Sequence, residues 1–176
     1  LRELVFVPTI PRWSGKEDLS AALSFSWSRE GLHVRCRVTD QEHNAPHTGP
    51  HIWQNDSIQF GLDPMNGRNW SEYTFSLTGD GAVGWSHYPP EGFKAGKFDG
   101  ACSVTRRGNL TEYSFTIPPE RLGFELKDGT QFRIALLIND SDGGIRSRTM
   151  LFFDGLDGHK DTGKFGLVQL RSGRRK

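Results

Sequence analysis

Apolar and polar residues alternate with a period of two along most of the chain. Leu23, Phe25 and Trp27 alternate with Ser24, Ser26 and Ser28. After the turn Arg29-Glu30-Gly31, Leu32, Val34, Cys36 and Val38 alternate with His33, Arg35, Arg37 and Thr39. Successive residues of a strand face opposite sides of its sheet, so this stretch predicts a hairpin with one face in a core and the other in water. The same period runs through Ile58, Phe60 and Leu62, through Tyr73, Phe75 and Leu77, and through Phe132, Ile134, Leu136 and Ile138. Cys102, Val104 and Arg106 pair across Gly108-Asn109 with Tyr113, Phe115 and Ile117 as a second hairpin. Shorter runs at 4–7, 82–85, 149–153 and 165–170 bring the total to about ten strands. The one helical turn foreseen is Pro118 to Leu122, since Pro is tolerated at the start of a helix. Ten short strands at regular spacing with almost no helix predict an all-β fold: a two-sheet antiparallel β-sandwich of jelly-roll or immunoglobulin-like type.

The chain has 176 residues, enough to bury a real core in one domain, with no internal repeat and no linker. Its 5 Trp, 12 Phe and 21 Gly suit an all-β domain with many turns. A net charge of +1 argues against nucleic acid or an anionic membrane as the partner, and the basic cluster from Arg171 to Lys176 reads as a frayed tail. Cys36 and Cys102 both fall in predicted strands. A single disulfide would be compatible with that, but two buried thiols are the simpler reading. No apolar run approaches the ~20 residues of a membrane-spanning helix, and no signal peptide is visible. A chain beginning at Leu1 reads as a piece of a longer precursor.

The stretch from Ile52 to Pro64 concentrates candidate chemistry. A loop ends in Trp53, and a strand follows with Ile58, Phe60 and Leu62 on one face and Ser57, Gln59 and Gly61 on the other. An indole beside amides and carboxylates can hold a sugar: the ring stacks on the C–H face of a pyranose, and the polar groups bind its hydroxyls. Trp53 as a core residue capping the sandwich is the alternative. Asn139, Asp140 and Asp142 with Gly143 resemble the first half of a calcium loop, although the Glu that would complete such a loop is missing: Leu151 stands there. Asx turns at a strand end are the other reading. His43, His47 and His51 recur every four residues, but Pro46 and Pro50 break any helix between them, which leaves a solvated loop. Nucleophile elbow, phosphate-binding loop, dinucleotide fingerprint and paired-cysteine zinc pattern are all absent. Four glycosylation sequons, at Asn55, Asn69, Asn109 and Asn139, read as accidental.

Several segments, taken in order, resemble the family 9 carbohydrate-binding modules and their relatives with a DOMON-like β-sandwich. They are Trp13 to Ala21, Val38-Thr39-Asp40, Ile52 to Phe60, Glu112 to Pro118, Ile138 to Gly143, and Phe165 to Leu170. The resemblance implies a non-catalytic module of an extracellular bacterial protein that degrades or handles polysaccharide. It also implies two Trp rings sandwiching a terminal sugar, and structural calcium. Trp53 matches the first ring and Asn139 the Asn of the family's Asn-Asp loop. Gln59 stands where the family has an acidic residue. Thr74 and Ser76 stand near its Arg and Asn, and Phe152 or Phe153 near its second Trp. Asp40, Asp140 and Asp142 are the candidate calcium ligands. Trp85, with His87 and Tyr88, either supplies a second wall to the site or packs the long loop 86–99 onto the sandwich.

The expected function is sugar binding on Trp53, with Gln59, Asn139, Trp85 and Phe153 around it. The expected partners are carbohydrate and a catalytic domain of the same parent chain, and the expected state is a monomer, secreted or at the cell surface. A structural accessory domain that binds no sugar is the first alternative. A haem-binding electron-transfer domain is the second, with Met65, Met150 and the six His as potential ligands.

Overall fold

The computed structural model describes residues 13–65, 70–144 and 146–172, together with the backbone of 2–5. Phe6 and Val7, the sequon at Asn69 and the tail Arg174 to Lys176 lie outside the described residues. The strands are β1 Arg2–Val5, β2 Leu19–Ser28, β3 Gly31–Asp40, β4 Ser57–Asp63, β5 Ser71–Thr78 and β6 Gly81–Tyr88. They continue with β7 Gly96–Lys97, β8 Cys102–Arg107, β9 Leu110–Ile117, β10 Gln131–Asp140, β11 Arg148–Phe152 and β12 Gly166–Gln169. The only helical elements among the described residues are short 3-10 turns, at Gly49–Gln54, Pro119–Arg121, Asp142–Gly144 and Thr162–Lys164.

Eight strands form one sheet in the order β1-β11-β10-β4-β5-β6-β7, with β12 also paired to β10. Both β11 and β12 use the same edge of β10, β11 along Leu136 to Asp140 and β12 along Gln131 to Ile134. The other four strands form a second sheet, β2-β3-β9-β8. Alternation places the core as expected. Ile58, Phe60, Leu62, Tyr73, Phe75, Phe132, Ile134, Leu136 and Ile138 of the large sheet meet Leu32, Val34, Cys36, Val38, Val104, Tyr113, Phe115 and Ile117 of the small one. Phe115 locks the two together. It stacks on Phe75 with centroids 4.0 Å apart and meets Phe60 edge-on at 5.4 Å. Each such burial contributes about 1.5–3 kcal/mol.

The outer faces of the two sheets differ. On β3, Arg35 and Arg37 point to water, as the alternation predicts. On β4 all seven residues are buried, including Ser57, Gln59 and Gly61. Two segments cover this face. The 3-10 turn Gly49–Gln54 lies toward the Ser57 end, and residues 153–165 lie over Gly61. Leu156 and Phe165 from the latter make a second apolar cluster with Ala135, Leu137 and Leu151. The absent side chain of Gly61 makes the room. A Cβ there would lie 2.7 Å from the Phe165 ring and 2.9 Å from Leu156.

Other expectations are corrected. β6 runs to Tyr88 rather than stopping at Trp85, so His87 and Tyr88 are strand residues. The loop after it is packed down: β7 pairs with β6, Phe98 enters the core, and Arg121 lies 4.1 Å from the centroid of Phe93 while pairing with Asp99 at 2.7 Å. Both cysteines are free thiols, Cys36 buried and Cys102 half-buried.

Gly61→Ala is expected to destabilise the domain by about 1–3 kcal/mol, as overpacking does in a dense interior. Urea unfolding reads the loss, and an unchanged midpoint would show that the 153–165 segment is not seated as described.

Candidate functional site

The outer face of the large sheet is left open between its two coverings. A cavity of about 610 Å³ lies there. Gln59 of β4, Glu72 of β5 and His87 of β6 line it from the sheet, Trp53 and Gln54 from the 3-10 turn, and Arg146, Leu156, Asp157, Gly158 and Lys160 from the C-terminal part of the chain.

Local chemistry holds Trp53 in place. Pro50 opens the 3-10 turn, and Ile52 is buried beneath it. Asn55, fully buried, donates to the His47 carbonyl (2.9 Å) and to Ser76 Oγ (3.3 Å), while its Oδ1 accepts from the His47 N–H (2.8 Å). The Arg146 guanidinium lies 5.2 Å from the Trp53 ring centroid, a cation–π contact, and pairs with Asp157 at 2.9 Å.

Gln59, Glu72 and Lys160 of the lining belong to one hydrogen-bonded chain that starts behind it at Asn139. Asn139 Nδ2 donates to Ser57 Oγ (2.9 Å) and Gln59 Oε1 (3.2 Å). Gln59 Nε2 donates to Glu72 Oε1 (2.6 Å). Lys160 Nζ donates to the same oxygen (3.0 Å) and to the Leu156 carbonyl (2.7 Å). Each amide can point only one way in this chain. Formal charges cancel, Arg146 and Lys160 against Glu72 and Asp157. His87 Nε2 lies 3.0 Å from Thr74 Oγ1, and burial lowers the His87 pKa, which keeps the ring neutral near pH 7.

Of the residues singled out from sequence, Trp53 and Gln59 meet in this cavity. Asn139 stands behind Gln59 and acts on the cavity through it. Trp85 faces the same side of the sheet but packs against Gly49 of the 3-10 turn, outside the lining. Phe153 is half-exposed in a left-handed conformation (φ 65°), with its ring on Gly166, also outside the lining, while Phe152 packs against the sandwich core. Thr74 and Ser76 are fully buried and support His87 and Asn55. Sequence reasoning missed Glu72, Arg146, Asp157 and Lys160. For Glu72 a signal existed: it alternates with Tyr73 and Phe75, on the face that Gln59 shares. For Lys160, in the Gly- and Asp-rich stretch 154–163, no periodic signal exists.

A second polar cluster lies at one end of the sandwich. Asp40 ends β3, Asp140 ends β10, and Asp142 follows in the turn, where Gly143 takes φ 73°. One carboxylate oxygen from each of the three lies within 4.8 Å of the others, the only such grouping of potential metal ligands among the described residues. Asp56 adjoins them, accepting from the N–H groups of Ser141 (2.7 Å) and Asn44 (2.5 Å). Arg148, fully buried, reaches Asp18 at 2.5 Å, Asp140 at 2.6 Å and Asp142 at 3.0 Å. Burial, then the charges of Asp56 and Asp142, push Asp40 up to about 7. Burial first, and neighbouring carboxylates after it, likewise push Asp56 and Asp140 up to about 7. Asp142 Oδ1 is buried without a hydrogen-bond partner among the described residues. Hard oxygen donors, surplus negative charge and an unmatched oxygen fit a divalent cation of the calcium type.

The remaining expectations place as follows. His43 is half-buried rather than solvated, with its Nε2 2.8 Å from the Leu77 carbonyl. Met150 is buried in the core and Met65 is exposed at the end of β4. The sequon residues Asn55 and Asn139 are buried and hydrogen-bonded within the fold.

Two carbohydrate-binding modules are among the solved structures that share this fold. A carbohydrate binding module family 9 from Caldicellulosiruptor kristjanssonii in complex with glucose is 17% identical, with 93% of this chain and 82% of that one covered and a TM-score of 0.68. A family 9 module from the same organism in complex with cellotriose is 16% identical, with 92% and 80% covered and a TM-score of 0.73. No curated protein matches the chain in sequence. The family described as carbohydrate family 9 binding domain-like matches residues 6–173. The chain therefore belongs to this family of binding modules, which are not enzymes.

Proposed function

We propose that the cavity above Gln59 and Glu72 is a sugar site with Trp53 as its stacking platform. The observation that carries this reading is an indole set beside a charge-balanced chain of amide, carboxylate and ammonium. Such a lining offers donors and acceptors in fixed directions with no net charge, which suits a neutral polyol better than an ion. Gln59 and Glu72 meet the hydroxyls, Lys160 and Asn139 hold them in place, and the Trp53 ring covers the apolar face of the sugar. The structural neighbours with bound glucose and cellotriose make a glucose-type sugar the first ligand to try. In this reading the domain anchors a polysaccharide-active catalytic domain of the same parent chain outside a bacterial cell.

We further propose that Asp40, Asp140 and Asp142 hold a structural calcium ion. The ion supplies positive charge among carboxylates that burial otherwise drives toward protonation. It plays no part in the chemistry at the cavity.

Trp53→Ala is expected to weaken binding about tenfold or more while leaving the melting temperature nearly unchanged, since an aromatic contact carries on the order of 1 kcal/mol beyond its buried area. Calorimetric titration against a glycan panel that includes glucose and cellotriose checks this, and unchanged affinity for every glycan bound would sink the stacking role. A domain that folds but binds no glycan would leave the accessory-domain reading.

Stability in chelator is expected to fall as pH rises from about 5 to 7 and to level off above that. Asp40, Asp56 and Asp140 titrate near 7 in the fold but near 3.8 when unfolded, so unfolding releases protons throughout this range and stability drops. His43 and His87, with pKa values lowered below 6.5, act in the opposite direction as pH rises toward 6.5 and offset part of this fall, and Asp18, lowered by its hydrogen bond to Arg148, acts only in acid. Adding calcium should raise the melting temperature and flatten the slope. Identical melting curves with calcium and with chelator across the range would remove the cation.

A further inference from the structure

Trp70 and Tyr88 form a stacked pair on the outer face of the large sheet, with centroids 4.7 Å apart and planes inclined by 25°. Trp70 also meets Phe165 edge-on at 6.3 Å and packs on the cluster that contains Leu156. Leu156 itself lines the cavity, so the pair begins on the far side of a cavity wall. Tyr88 remains 49% exposed although one face of its ring is covered. A ring that served only to shield the apolar cluster would be expected to lie deeper.

The backbone explains why Tyr88 points this way. Glu72 pairs with Tyr88, Tyr73 pairs with Ser86, and the register shifts between them, leaving His87 as the extra residue. A bulge of this kind re-aims side chains and turns two consecutive residues toward one face. His87 lines the cavity while Tyr88, the next residue, stacks on Trp70. Trp70 immediately precedes β5 and stands two residues before Glu72, which lines the cavity. The aromatic pair therefore adjoins the cavity through Leu156 and through His87, the neighbour of Tyr88, with Trp53 in the cavity lining and the Tyr88 ring exposed beside it.

We propose that the Trp70–Tyr88 pair is a second sugar platform, so that the domain binds a chain of two or more sugar units and not a terminal unit alone. This rests on the sugar reading of the Trp53 cavity. Sugar held on the open platform is solvated on one side and contributes less than sugar in the cavity, so the pair adds affinity for oligosaccharides without being required for monosaccharides.

The test compares matched monosaccharides and trisaccharides by calorimetric titration: glucose with cellotriose, xylose with xylotriose, mannose with mannotriose. Tyr88→Ala should cut trisaccharide affinity by about two- to tenfold, the range for one aromatic stacking contact, and leave monosaccharide affinity and the melting temperature unchanged. Tyr88→Phe, which keeps the ring, should restore trisaccharide binding. Trp53→Ala should weaken both members of a pair. If Tyr88→Ala leaves trisaccharide binding intact while Trp53→Ala abolishes it, the second platform is wrong and the cavity stands. Equal losses for both sugars with a lowered melting temperature would make Tyr88 a packing residue and overturn the proposal. Should no sugar pair bind at all, both the platform and the cavity reading fail.

Discussion

The Arg148 guanidinium is buried among carboxylates from separate parts of the chain, and both sheets depend on it. Asp18 leads into β2 of the small sheet, whereas Asp140 and Asp142 end and follow β10 of the large one. Removing one partner from a buried ion pair costs about 3–5 kcal/mol. Burial works against the Arg148 charge, but its hydrogen bond to Asp18 and the charges of Asp140, Asp18 and Asp142 outweigh it. The arrangement is therefore tenable only while the two sheets are docked at this end. Arg148 is also the register partner of Asp140 across β10 and β11. Fixing Asp140 fixes Asn139, one residue earlier on the opposite face, where it begins the hydrogen-bonded chain of the cavity. The contact that ties the sheets together thus also orients the polar lining of the site.

The two polar clusters of the large sheet have opposite electrostatic characters. At the end of the sandwich, Arg148 pairs with Asp18, Asp140 and Asp142, Asp40 and Asp56 adjoin these carboxylates, and Arg106 is bonded to the Asp40 carbonyl at 2.8 Å. Five carboxylates and two guanidiniums leave a surplus of negative charge, and a low-dielectric region can hold that surplus only by binding protons or a cation. In the cavity two cations meet two anions, and each carboxylate has its partner. A balanced, internally bonded lining has little to gain from another ion and more from a ligand that exchanges hydrogen bonds with it.

The sheets and their inner faces were legible in the sequence because period-two alternation is a local signal. Ile58, Phe60 and Leu62 needed no information from elsewhere in the chain. The outer face of the large sheet was not legible, since its burial comes from the 3-10 turn and from residues 153–165, and neither carries a periodic pattern. Gly61 admits Phe165 and Leu156 from about a hundred positions away, and a glycine in a strand does not say what fills its space. The acidic trio was legible as a set of residue types at strand ends, but its closeness to Arg148 was not. Trp53 could be found because an aromatic before a strand with amides is a local pattern. Phe153, near the position of the second ring, turns onto Gly166 through a positive φ that its sequence does not announce.

Gln59 and Glu72 show why the acidic group of the site was sought on the wrong strand. On one face of an antiparallel sheet, diagonal neighbours on adjacent strands are about as close as residues two apart on one strand. A carboxylate needed beside position 59 can therefore be supplied from position 72, and a motif read along β4 alone registers only a loss. The substitution has a chemical consequence. Gln59 Oε1 accepts from Asn139 and its Nε2 donates once to Glu72, while Lys160 spends donors on Glu72 and on the Leu156 carbonyl. Among donors, these groups keep one N–H on Gln59 and at most one on Lys160, since an amide carries two donors and an ammonium three. Acceptors remain as well: Glu72 Oε2 has no hydrogen-bond partner among the described residues, only the Lys160 ammonium 2.9 Å away, so the groups around Glu72 can both donate to and accept from a ligand.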